Sequence, residues 1–226
     1  MSRQPRAPVW PRATTFGYNA HVELSEQQVT DFGVALNEAT LVGVDVTPVE
    51  RSVSLTFAAL ALPADSSSPP EDPRVQFILQ PVGRIAASLR HGNWDDAEAR
   101  VEPFELDRFA EVVASFEQQP VYGWEFLDVP EKDDFAKWQK RLSLDWRSEP
   151  GGTAHTLDLF QEWGASRHLD LRFWFDELRI FGPDRREVAF DDFTAAGVRW
   201  WDGLYSHDPR TEGQGIVPGA PTAESD

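Results

Sequence analysis

The sequence predicts an α+β fold: a single domain built on a mainly antiparallel β-sheet or sandwich, with about three to four helices. Two observations indicate this class. Several stretches, such as 53–58 and 169–176, alternate apolar and polar residues with the two-residue period of half-buried strands. Stretches near both ends show helical spacing instead, and helices and strands do not alternate regularly as in a parallel α/β fold.

The composition is that of a folded protein with two polar ends. A hydrophobic share of 41%, with 12% aromatic residues, supplies apolar surface for one substantial core in 226 residues. Residues 1–15 and 207–226 lack apolar periodicity and are rich in proline, glycine and polar residues, so we expect both to be disordered. The predicted domain therefore spans residues 16–206.

The first predicted elements are a helix and a β-hairpin. Ser25 and Gln28 form a capping-box pattern ahead of apolar residues at helical spacing, which predicts a helix over 25–38 that packs on the sheet. Alternating residues then predict two strands, over 41–46 and 52–62, which pair with one face buried.

A segment rich in proline and serine, residues 63–73, follows the hairpin. It fits a long loop and a domain boundary equally well. Beyond it, residues 74–90 predict two further strands with Pro81 and Gly83 at or near a bend, because proline cannot donate to a central strand ladder.

The second half of the chain contains two helical patterns among several strands. Residues 105–119 place apolar side chains on one helical stripe, and 132–142 predict a short helix or turn. The segments that predict strands are 121–129, 142–146, 155–163 and 169–181.

The last predicted element is a helix over 191–205, capped by Asp191 or Asp192. Its apolar residues share one helical face, so we expect this helix to lie across the sheet. The apolar face of strand 169–181 should then meet this helix or a second sheet.

The net charge is the most unusual feature of the composition. The chain has 38 acidic and 21 basic side chains, which gives −17. A field of this sign repels phosphate backbones and anionic lipid headgroups, so we expect no direct binding to nucleic acid or membranes. The chain has no cysteine and no run of about 20 apolar residues, and prolines interrupt its basic start, so a cytoplasmic location is predicted.

The polar face of the aromatic-rich strand carries the strongest set of candidate site residues. Its members are His168, Asp170, Arg172, Trp174 and Asp176. On one interpretation they project into a cleft, where the imidazole is a base and the guanidinium binds an anion. On the other, which we favour, the charged members form a solvated face of cross-strand ion pairs. For the tryptophan, a binding surface and a core position beneath a covering helix both stay open.

Glu125 is a further candidate acid, because its aromatic neighbours Trp124 and Phe126 would raise its pKa if they buried it. We favour the simpler interpretation, in which its side chain alternates outward between them. Clusters such as His91 with nearby aspartates lack the spacing of a metal site, so no metal is predicted. The chain also lacks nucleophile, phosphate-loop and dinucleotide signatures, so we predict no catalytic residue and no cofactor.

These features favour a non-enzymatic protein-binding module that binds a basic partner, because acidity steers such a partner and aromatic side chains supply contact area. With its strand-rich pattern and the segment WFDELRI, the chain resembles in general character the small acidic, sheet-rich immunity proteins that neutralise bacterial toxins. The resemblance implies an immunity-type or inhibitor role.

Two alternatives remain open at this level. The chain fits a small-molecule sensor or enzyme with a pocket between sheet and helices, served by His168, Arg172 or Glu125. The acidity also fits an adaptation to salt, in which case every tryptophan would lie in the core.

Overall fold

A computed structural model describes residues 24–212, except residues 94, 95, 97, 117, 118, 133, 149 and 150. The predicted arm at 1–15 lies outside the described residues, as does the predicted tail beyond 212. Ordered structure continues past residue 206, the predicted end of the domain. Pro209–Thr211 form a short 3-10 helix, and the side chain of Thr211 is buried.

The described residues contain four α-helices and eight β-strands. The helices are α1 (Glu26–Leu36), α2 (Phe109–Ala114), α3 (Asp134–Trp138) and α4 (Phe190–Tyr205). The strands are β1 (Thr40–Thr47), β2 (Ser52–Ala58), β3 (Arg74–His91), β4 (Arg100–Val101), β5 (Leu144–Arg147), β6 (His155–Trp163), β7 (Arg167–Phe181) and β8 (Glu187–Val188). Short 3-10 helices at Leu106–Arg108 and Gly164–Ser166 precede α2 and β7.

The sheet is antiparallel at every pairing among the described strands. Its main order is β1-β2-β3-β7-β6, with β4 and β5 also paired to β3 and β8 paired to β7. Residues 63–73 lie in the loop between β2 and β3, which are neighbours in this sheet. The predicted α+β single domain with a mainly antiparallel sheet is confirmed.

One strand, β3, replaces the two strands predicted for residues 74–90. It runs through Pro81, which follows a cis peptide bond, and its pairing with β7 shifts register between Val82 and Arg84. The residue that the shift passes over is Gly83, two positions after Pro81, and the pairing with β7 continues on both sides of it. The prediction of two separate strands was wrong, and the expected bend corresponds to this shift of register within one strand.

The main core lies on the face of β7 that carries Phe173. This ring meets Phe109 of α2 with the centroids 6.1 Å apart, and Phe32 of α1 is fully buried in the same cluster. From α4, Phe193 packs edge-on against Phe77 of β3 at 5.3 Å. The apolar face of the aromatic-rich strand is therefore covered by helices, and no second sheet covers it among the described elements.

The two terminal helices pack tightly on each other as well as on the sheet. A Cβ atom added to Gly197 of α4 would lie 2.4 Å from Cβ of Ala35 in α1. The predicted capping box of α1 is present, with Ser25 and Gln28 bonded reciprocally. The predicted cap of α4 was wrong: its N-cap is Ala189, and the side chain of Asp191 instead accepts a hydrogen bond from Gln28.

Residues 121–129 do not form the predicted strand. They run beside β6 and bond to it at separate points. The amide of Asp158 donates to the carbonyl of Phe126 at 2.7 Å, the amide of Asp128 to the carbonyl of Thr156 at 2.9 Å, and the amide of Tyr122 to the carbonyl of Phe160 at 3.0 Å. Phe126 of this segment is buried in the main core, whereas Trp124 is exposed.

Candidate functional site

The polar face of β7 is covered over part of its length by α3. The rings of Phe135 and Trp174 lie 5.2 Å apart and nearly perpendicular, and Trp138 packs against Phe135 at 4.8 Å. Trp174 is only 7% exposed, and its indole N–H donates to the Glu131 carboxylate. The covering helix therefore makes this tryptophan a core residue.

Arg172 is buried under the same helix, with 1% of its surface exposed. Its guanidinium carbon lies 4.9 Å from the centroid of the Phe135 ring, and its Nε atom lies 3.6 Å from a carboxylate oxygen of Asp158 on β6. The Nη2 group donates to the carbonyl of Val129 and to the hydroxyl of Thr156. The prediction of a solvated face was wrong for Arg172, because sequence alternation did not show that α3 covers it. Of the two alternatives left open for Trp174, the structure shows the core position beneath a covering helix.

His168 and Asp176 have structural partners. His168 is 1% exposed, stacks on Phe160, and donates from Nε2 to the carbonyl of Gly92 at 2.8 Å, so it is not solvated either. The Asp176 carboxylate accepts hydrogen bonds from the amides of three consecutive residues, 152–154, at 2.8 to 3.2 Å. These contacts hold the loop before β6 against the sheet.

Asp170 and Glu125 lie in a cavity of about 570 Å³ on this face. Asp170 forms an ion pair with Arg90 of β3, and both residues line the cavity. The other lining residues are Asp96, Tyr122, Phe126, Val129, Lys137, Trp138, Arg141, Asp158, Leu159, Phe160 and Leu171. We name this space the polar cavity. Arg172 lies beside it and contacts two of its lining residues, Asp158 and Val129.

The polar cavity unites only some of the predicted site residues. Glu125 is exposed and lines it, as the outward interpretation of this residue predicted, whereas His168, Trp174 and Asp176 are not among the lining residues. Lys137 and Arg141 belong to the lining and were not singled out from the sequence. Their spacing of four residues, beside Trp138, was the available signal for a shared face.

The 121–129 segment, which contributes to the lining of the polar cavity, is attached to β6 through an ion pair between Asp128 and His155. Nδ1 of His155 donates to the carboxylate of Asp128 at 2.9 Å, and the other carboxylate oxygen accepts from the amide of Thr156 at 2.8 Å. The hydrogen bond to Asp128 raises the pKa of His155 above its usual value, although burial opposes this shift.

This raised pKa predicts a pH-dependent stability. A folded-state pKa above the unfolded value of about 6.5 stabilises the fold fully below that pH, and the contribution is lost as the pH rises through the folded pKa. We expect the free energy of unfolding to fall between about pH 6 and pH 8, and Asp128→Asn to reduce this fall. Asparagine tolerates the φ of 56° found at this position. Urea unfolding of both proteins at pH 6 and pH 8 checks this. An equal fall in the free energy of unfolding for the two proteins would contradict it.

A second surface feature is a group of aromatic side chains that we name the aromatic surface: Trp124, Trp201 and Tyr205. The indoles of Trp124 and Trp201 lie 5.7 Å apart, and the rings of Trp201 and Tyr205 stack at 6.0 Å. Trp124 is 54% exposed and Tyr205 57%, so the tryptophans do not all lie in the core as the salt-adaptation alternative required. Trp124 was missed because residues 121–129 were expected to be a strand with this side chain inward.

No family model, curated protein or solved structure matches this chain. Among the described residues, no three His, Asp or Glu side chains are grouped so that they could hold a metal ion. Within the same residues, no helix has the length and apolar character needed to cross a membrane.

Proposed function

We propose that the chain is a non-enzymatic protein-binding module that binds a basic partner through the aromatic surface. The observation that carries the proposal is the pair of exposed rings, Trp124 and Tyr205, on either side of the buried Trp201. Tryptophan and tyrosine supply large contact areas with few rotatable bonds, and they are enriched among the residues that dominate binding energy at interfaces.

The aromatic surface is held in place by the core beneath it. Trp201 packs edge-on against Trp200 with the ring centroids 5.2 Å apart, and Trp200 is fully buried. The backbone of Trp124 lies directly against α1, since a Cβ atom added to Gly33 would lie 2.1 Å from the carbonyl oxygen of Trp124. A surface ordered in this way loses little conformational entropy on binding.

Acidic side chains border the aromatic surface and favour a basic partner. Glu125 is exposed and follows Trp124 in the chain. Asp202 is exposed and precedes Tyr205 by three positions, which places Asp202 and Tyr205 on one side of α4. The net charge of −17 adds a field over the whole molecule that accelerates encounter with a cationic protein. A basic enzyme or toxin would be the partner if the chain acts as an inhibitor or immunity-type protein.

The test is affinity capture by the purified protein from a lysate of its source at about 0.15 M salt. We expect a stoichiometric basic partner whose retention decreases at higher salt. Trp124→Ala should weaken its binding by about thirtyfold, as expected for a hot spot of about 2 kcal/mol.

Trp163→Ala is the matched control, because Trp163 is 37% exposed but lies at the end of β6, outside the aromatic surface. It should leave binding unchanged. Recovery of the bait alone, or a partner equally sensitive to both substitutions, would contradict the proposal.

A further inference from the structure

Several aromatic rings of this chain are covered by its own arginines. The guanidinium carbon of Arg84 lies 4.5 Å from the centroid of the Trp174 ring, and that of Arg179 lies 4.9 Å from the centroid of the Phe181 ring. A guanidinium at this distance is attracted to the face of the ring and can stack on it through its own plane. Within the described residues, no such contact involves the aromatic surface, so its two exposed rings are available to a cation from another molecule.

The three rings of the aromatic surface form one continuous apolar area. Trp124 and Tyr205 both pack against Trp201, with their centroids 5.7 Å and 6.0 Å from that of Trp201, and each of the two exposes more than half of its surface. Arginine has a long apolar stem that lies along apolar surface and a planar head that stacks on aromatic rings. A side chain of this kind therefore matches a surface made of adjacent rings.

The two helices beside the aromatic surface carry an excess of negative charge. Two of the three rings lie in α4, and the backbone of Trp124 lies against Gly33 of α1. Together α1 and α4 contain five carboxylates and one cation, Arg199, whose Nε donates to the carbonyl of Leu62. None of the five carboxylates forms an ion pair within the described residues. Because no cation inside the protein matches their charge, they favour a cationic group on the neighbouring rings.

Asp202 is the carboxylate best placed to act together with these rings. It is exposed, and it precedes Tyr205 by three positions in α4, a spacing that puts the two side chains next to each other on the helix. A carboxylate accepts two parallel hydrogen bonds from a guanidinium, whereas the ammonium group of lysine is a compact point charge that is strongly hydrated. An exposed ring beside such a carboxylate therefore favours arginine over lysine.

We propose that the aromatic surface binds an arginine side chain of the basic partner, which stacks on Tyr205 and pairs with Asp202. This inference rests on the proposed function, since it uses the same surface, and it adds the chemical group that the surface recognises. The other exposed ring, Trp124, then contacts partner residues next to this arginine.

The test uses three matched peptides: acetyl-Gly-Arg-Gly amide and its counterparts with lysine and with citrulline, the neutral analogue of arginine. Each is titrated into ¹⁵N-labelled protein to about 50 mM at constant ionic strength, well above an expected dissociation constant on the order of 10 mM. We expect the arginine peptide to shift the backbone amide signals of Asp202 and Tyr205 and to leave the indole N–H signal of Trp163 in place. The citrulline peptide should bind about tenfold more weakly and the lysine peptide about threefold more weakly.

Two pairs of variants locate the contacts. Asp202→Asn should weaken binding of the arginine peptide by about tenfold, because it removes the charge that pairs with the guanidinium. Asp192→Asn is its matched control: it changes the net charge equally and is also exposed on α4, but it lies ten positions earlier, about 15 Å away along the helix. Tyr205→Ala should weaken binding by about fivefold, whereas Tyr205→Phe keeps the ring and should bind as the unchanged protein does. All three positions are exposed, so the fold should survive each change.

The inference is overturned if the arginine peptide shifts neither amide, if the lysine or citrulline peptide binds as tightly, or if Asp192→Asn weakens binding as much as Asp202→Asn. Capture of a partner that is sensitive to Trp124→Ala but not to Asp202→Asn or Tyr205→Ala would also overturn it and leave the proposed function intact. Binding of the arginine peptide at this surface, without any partner recovered from the lysate, would support the arginine site and contradict the proposed function.

Discussion

Gly152→Ala is expected to lower the free energy of unfolding by about 2 to 5 kcal/mol, combining left-handed backbone strain with overpacking. The φ of Gly152 is 74°, and an added Cβ would lie 2.3 Å from the amide nitrogen of Gly83 and 2.5 Å from the carbonyl oxygen of Pro81. Both contacts are with backbone in the irregular part of β3, which cannot move aside without disturbing its pairing with β7. Chemical denaturation followed by circular dichroism measures the loss.

Two other glycines separate the causes. Gly164 has a φ of 57° in open space, so Gly164→Ala should cost only the backbone strain, about 1 to 2 kcal/mol. Gly43 in β1 has neither a close neighbour nor a positive φ, so Gly43→Ala should change stability by about 0.5 kcal/mol or less. If Gly152→Ala cost no more than Gly164→Ala, the close approach of the loop to β3 would have no energetic importance.

Arg172→Ala is the second substitution with a large expected effect, about 2 to 4 kcal/mol. It would leave the Asp158 carboxylate without its cross-strand cation and the carbonyl of Val129 without its donor, and it would open a space beneath Phe135. Arg172→Met should lose less, because it keeps most of the buried volume. The free energies of unfolding are compared by denaturant titration, with one dependence on denaturant concentration fitted to all variants.

Arg186→Ala is the matched control for this arginine. Arg186 pairs with Asp184 at 3.3 Å on the exposed turn between β7 and β8, so its removal should cost about 0.5 kcal/mol or less. Equal losses in the free energy of unfolding for Arg172→Ala and Arg186→Ala would show that burial of Arg172 does not increase its contribution to stability. A large loss of stability on replacing Arg172 would also mean that any change in binding in that variant reflects unfolding rather than a lost contact.

Local patterns in the sequence predicted most elements of this fold. The strand expected over 155–163 matches β6, and Ser25 with Gln28 forms the expected capping box, because periodicity and capping depend on neighbouring residues. The prediction of two strands over residues 74–90 failed because continuation of β3 through Pro81 depends on its pairing with β7, which is distant in the sequence.

The candidate site was less accessible from the sequence. Alternation placed Arg172 and Trp174 on one face of β7, and this part was correct. Whether that face meets solvent depends on where the short helix α3 docks, and helical spacing in α3 says nothing about its destination. The lining of the polar cavity likewise comes from several separate segments, so only Asp170 and Glu125 were singled out beforehand.

The long central strand β3 also has a consequence for how fast the chain folds. Its pairing with β7 joins Gln76 to Phe181 and His91 to Arg167, so this ladder closes large loops of chain. Such non-local pairing slows folding, because the entropy of loop closure is lost before the contacts are gained. During synthesis, an edge of β3 stays unpaired until residues 167–181 have emerged, which makes the nascent chain most vulnerable to aggregation in that interval.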